Sequence, residues 1–132
     1  MPSTGMPALD ARDDFSRARR AARLRRLTQR RRSHPRTIAN AAGRGAPRLE
    51  VIRLDCIVGT VEPSPHFDAR FRPTSAHLRP RWERIALAHR RGVALPPIAV
   101  VMRSDGYYVV DGRHRVSVAL AGGLREIEAW VS

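Results

Sequence analysis

Between Tyr107 and Ala121 the chain changes its period within five residues. Tyr107-Tyr-Val-Val110 is an aromatic and β-branched run that reads as a strand, and Val116-Ser-Val-Ala-Leu-Ala121 reads as a helix. The residues between them, Asp111-Gly-Arg-His-Arg115, must end a strand, turn and open a helix. Gly112 lets the backbone turn and lets another group come close. The first turn of a helix carries unpaired N–H groups and a partial positive charge. Two arginines and a histidine are added there, so the junction favours an anion, and phosphate above all. The bland alternative is a tight turn with Asp111 as the helix cap and solvated arginines.

The flanking sequence frames this junction. Ile98-Ala-Val-Val-Met102 reads as a strand, and Asp105-Gly106 is a hairpin signal that pairs it with Tyr107–Val110. Upstream, 75–92 is the best helix. Trp82, Ile85, Ala86 and His89 recur at helical spacing, Pro80 allows a start near Arg79, and Gly92 stops it. Leu49 to Leu54 reads as a first strand and 55–59 as a turn or short helix. Residues 60–74, with Pro63, Pro65 and Pro73, read as a long loop anchored by Phe67 and Phe71. Glu126 to Val131 closes as a strand with Ile127, Ala129 and Val131 on one face. The order predicts an α+β fold: a small mixed sheet with packed helices.

Charge divides the chain. Residues 1–48 hold thirteen arginines against Asp10, Asp13 and Asp14, whereas 49–132 hold twelve arginines against nine acids. The expected organisation is therefore a basic, disordered or partly helical arm with its linker over 1–46, and a folded domain over 47–132. Within the arm, 10–32 has helix-forming composition but only a weak apolar face. If it meets nucleic acid, it does so through phosphates, and the candidates are Arg19, Arg20, Arg23, Arg25, Arg26, Arg30, Arg31 and Arg32. DNA is the expected partner of such an arm. A solvated arm and an over-extended reading of an arginine-biased gene are the competing accounts.

No lysine is present, so a phosphate clamp must use arginine, histidine or backbone N–H. The single Cys56 permits no internal disulfide and reads as a small buried residue. This fits a reducing, cytoplasmic location. No membrane association is expected, because no apolar run approaches a spanning length. His34, His66, His77 and His89 lack metal-ligand spacing, so no metal site is expected in the chain itself. Trp82 and Trp130 read as core.

Leu95-Pro-Pro-Ile-Ala-Val-Val, Asp-Gly-Tyr-Tyr-Val-Val-Asp-Gly-Arg-His-Arg and Ile-Glu-Ala-Trp-Val together resemble the ParB/sulfiredoxin superfamily, densely over 95–131 and in outline over 49–94. The resemblance implies a nucleoside di- or triphosphate (CTP or ATP) held at Asp111, Gly112, Arg113, His114 and Arg115, with Mg2+ as a candidate companion. In ParB partition proteins, which serve chromosome partitioning, the corresponding turn carries Gly-Glu-Arg-Arg, and the glutamate is not matched here. Sulfiredoxins carry a catalytic cysteine where Arg113 stands, so the resemblance does not extend to sulfinate reduction. Free-serine kinases carry Asp-Gly-His-His-Arg, which Asp111, Gly112, His114 and Arg115 match. The leading expectation is a ParB-like nucleotide-binding, DNA-associated domain, with a homodimer left open. The alternatives are a nucleotide-dependent phosphotransferase with Asp111, His114 and Glu62 as candidate catalytic residues and, third, a ParB-like nuclease.

Overall fold

The structure, a computed structural model, describes residues 3–28, 34–38 and 45–132, without the side chains of 25–28. The elements in order are α1 (Pro7–Thr28), β1 (Arg36–Thr37), β2 (Arg48–Arg53), β3 (Ile57–Thr60), α2 (Arg79–Arg90), β4 (Ile98–Arg103), β5 (Gly106–Asp111), α3 (Arg113–Ala121) and β6 (Glu126–Val131). The strands form one six-stranded mixed sheet in the order β1-β3-β5-β4-β6-β2. This is the α+β class expected from the sequence. None of the described helices is long and apolar enough to cross a membrane.

Alternation builds the main core. On β6, Ile127, Ala129 and Val131 point inward and meet Ile52, Ile98, Val100, Val109 and the α3 residues Val116 and Ala119. The same alternation turns Trp130 outward, opposite Leu49 on β2, and leaves it 45% exposed. Its expected place in the core is thus corrected: in a period-2 strand the neighbour of two buried residues must face away. Trp82 is fully buried, as expected.

Two strands of the sheet lie where none was expected. The sequence predicts a turn or short helix over 55–59. The 3-10 turn ends at Cys56, and β3 follows at once. β3 runs parallel to β5 on one side and to β1 on the other. Gly59 makes the β1 contact possible, since a Cβ there would lie 2.3 Å from the Arg36 carbonyl oxygen.

The helix expected within the basic segment is part of the packed structure. Its start is tied down by Asp10, whose carboxylate accepts from the Thr4 amide at 2.9 Å, the Thr4 hydroxyl at 2.8 Å and the Ser3 hydroxyl at 3.2 Å. The Thr4 amide and these hydroxyls hold the Asp10 carboxyl below its usual range. Ala11, Phe15 and Ala18 then pack against α2, where Phe15 meets Trp82 edge to face at 5.6 Å and lies under the Arg79 guanidinium. The expected linker falls largely on residues outside the described ones.

Candidate functional site

The strand-to-helix junction is held by Gly112, which has φ +110° and begins α3 with no side-chain cap. No other residue fits, because a Cβ at Gly112 would sit 2.5 Å from Ile98 Cγ2. The helix starts immediately after, with the Val116 amide donating to the Gly112 carbonyl at 2.9 Å. The N–H groups of the preceding turn therefore point out of the helix end. Asp111 does not cap them. Its carboxylate accepts from Arg115 Nη2 at 3.1 Å, and its side chain is 72% exposed.

A pocket of about 190 Å³ opens at this helix end. Asp111 to Arg115 form one wall, Ser64, His66 and Phe67 of the 61–75 loop a second, and Arg81 and Ile85 of α2 a third. All five residues of the sequence-predicted turn thus line one cavity. Nothing local in the sequence assigns Arg81 or His66 to this site. Arg81 neighbours Trp82 on a helix whose sequence shows only an apolar stripe, and His66 reads in the sequence as one of the histidines without metal-ligand spacing.

His114 stands edge-on to Phe67 at 5.1 Å between ring centres. Its Nε2 is buried without a hydrogen-bond partner, as is Nε of Arg113. Burial lowers the His114 pKa to about 4, helped by the positive charges of Arg81 and Arg113 and by His66. The imidazole is therefore neutral at pH 7, and its Nε2 faces no protein acceptor or donor.

Arg115 has a different setting. Its Nη1 donates to the carbonyls of Pro96 at 2.9 Å and Pro97 at 2.7 Å, and its Nη2 to Asp111. It ties the chain entering β4 to the first turn of α3. Arg113 and Arg81 carry no such bonds to backbone carbonyls among the described residues, so they are the guanidiniums available to a bound anion.

The other sequence candidates lie apart. Glu62 is exposed on the loop just before the pocket-lining residues, and its carbonyl accepts from the Thr60 hydroxyl at 2.5 Å. On α1, Arg20 and Arg23 are exposed, while Arg19 is half-buried with an unpartnered Nε. Arg25 and Arg26 lie in α1 with side chains outside the described ones, and Arg30, Arg31 and Arg32 lie outside the described residues altogether. Cys56 is half-exposed rather than buried, because the turn that carries it lies at the surface beside Asp55. His66 and His77 stack edge to face at 5.0 Å, and Ser75 Oγ meets His77 Nδ1 at 2.7 Å. Among the described residues no group of three or more His, Cys, Asp or Glu is placed to hold a metal ion.

Neither a family model nor a curated protein matches the chain in sequence. Among solved structures, the chain is similar to sulfiredoxin from Arabidopsis thaliana, at 20% identity and a TM-score of 0.48. The match covers 65% of this chain and 85% of that one.

Proposed function

We propose that the pocket at the start of α3 binds the phosphate groups of a nucleotide, in a domain of ParB/sulfiredoxin type. The observation that carries this reading is the convergence of Arg81, Arg113 and the neutral His114 on the open end of α3. Oriented N–H groups, two guanidiniums and a partnerless imidazole nitrogen suit a phosphate oxygen cluster. A volume of about 190 Å³ suits phosphates rather than a whole nucleotide, so sugar and base extend beyond the mouth. ATP and CTP are the candidates, with Mg2+ as a companion that would help neutralise the phosphate charge. Titration of ATP, ADP, CTP and GTP with and without Mg2+, followed by product analysis, tests this reading. Absence of binding by all four, or affinity unchanged in folded Arg81→Ala and Arg113→Ala, would refute it.

Phosphoryl transfer of the free-serine-kinase kind is a second reading. It is favoured by His114, whose neutral ring and unpartnered Nε2 border the pocket. It requires a phosphorylated acceptor hydroxyl alongside the nucleotide short of one phosphate, a pair that neither binding nor hydrolysis alone yields. Association with DNA rests on the exposed Arg20 and Arg23 of α1 and on the arginine-rich sequence around them.

A further inference from the structure

A second and larger cavity, about 680 Å³, lies between α1, α3 and residues 69–72, and it shares no lining residue with the pocket at the start of α3. Its volume falls in the range of small-molecule sites. We propose that it binds a small aromatic or heteroaromatic anion, with the ring on the apolar floor and the acid group against Arg70.

The walls supply each part of that chemistry. Leu54, Ile57 and Phe71 form an apolar floor, and the small Ala18 and Ala21 of α1 leave the space open. Phe71 holds φ +59°, a conformation rare for a bulky side chain. The Asp68 carboxylate fixes it by accepting the amides of Arg70 and Arg72, each at 2.9 Å. Backbone strain of this kind concentrates at ligand sites.

Ser117 adds a polar group to the cavity wall. It is only 3% exposed and borders the cavity. Its oxygen accepts from Trp82 Nε1 at 2.8 Å, which orients the hydroxyl. A hydroxyl that already accepts one hydrogen bond still has a proton to give, which a ring carbonyl or ring nitrogen in the cavity would take.

Charge selects an anion. Of the two acids on the walls, Asp14 is held by Arg90 and Asp55 by Arg53. Arg70 is exposed and has no carboxylate partner among the described residues.

The full chain titrated with 2-naphthoate and with its neutral analogue 2-naphthamide tests the assignment by calorimetry. One saturable site is expected, with the amide bound about tenfold more weakly, the loss of one charge-assisted hydrogen bond. Arg70→Ala should reduce 2-naphthoate binding to the level of the amide without changing the melting temperature. Arg81→Ala in the other pocket and Arg20→Ala on α1 should leave it unchanged. The proposal fails if no saturable binding occurs, if acid and amide bind alike, or if folded Arg70→Ala keeps full affinity. It also fails if Arg81→Ala or Arg20→Ala weakens the acid as much as Arg70→Ala does, since the probe would then report the other pocket or general charge.

Discussion

Arg90 of α2 holds Asp14 of α1 by two parallel hydrogen bonds, Nε to Oδ2 at 2.7 Å and Nη2 to Oδ1 at 2.8 Å. The Asp14 side chain is fully buried, and Asp10 adds a second carboxylate oxygen at 3.6 Å from the same guanidinium. An arginine-rich helix is thereby fixed to the body through two of its few acids.

Removing one side of this pair leaves a buried charge uncompensated. Arg90→Ala should therefore cost about 3–5 kcal/mol of stability. Urea unfolding gives the magnitude, and hydrogen exchange should locate the loss in α1. Replacing both partners by apolar residues of similar volume should recover most of it. An Arg90→Ala variant as stable as the parent would mean that α1 docks by its apolar face alone.

Arg115 and Arg81 should separate stability from binding. Arg115 is committed to the carbonyls of Pro96 and Pro97, so Arg115→Ala should lower stability by about 1–3 kcal/mol through the orphaned acceptors. Arg81 lines the pocket from the exposed side of α2, and Arg81→Ala should leave the melting temperature nearly unchanged. It should weaken nucleotide binding by about 1.5–3 kcal/mol, the range of a hydrogen bond to a charged group. Thermal melts and calorimetry on both variants decide the split.

His114 makes stability depend on pH in a defined window. It ionises near pH 4 in the folded chain and near 6.5 without its surroundings. Between these values the unfolded chain binds more protons, so stability is full above about 6.5 and falls as pH drops toward 4. Partial exposure reduces the effect to about 1–2 kcal/mol. His114→Gln should flatten that part of the curve, measured as unfolding free energy at pH 4.5, 5.5 and 7.

Gly112→Ala tests the junction itself. The new methyl group would meet the side chain of Ile98 and sit on a positive φ. Overpacking and left-handed strain together should cost about 2–4 kcal/mol, visible in the denaturation midpoint.

The junction and the hairpin were legible because both rest on local chemistry. Asp105-Gly106 and Asp111-Gly112 each demand a turn, and the expected turns are there. The parallel β3 was not legible. Ile57-Val-Gly-Thr60 is too short to show a period, and its partners come from β1 and β5 at distant positions. The docking of α1 was hidden because Ala11, Phe15 and Ala22 are sparse among arginines, and nothing in the sequence pairs Asp10 and Asp14 with the distant Arg90. In the candidate site, the turn residues announced themselves, but Arg81 and His66 reach the pocket only through the packing of α2 and the 61–75 loop. No local pattern marks that packing.

The strand order bears on synthesis as well as on architecture. β6 lies between β4 and β2, pairing parallel with one and antiparallel with the other. Until Glu126–Val131 has been made, β2 has no neighbour and β4 presents an open edge. Unpaired edges of this kind are where chains associate wrongly. A ribosome-stalled chain ending before β6 should therefore be held by chaperones and be sensitive to protease. β1, β3, β5 and β4 can pair without it, and β6 then closes the two remaining ladders together.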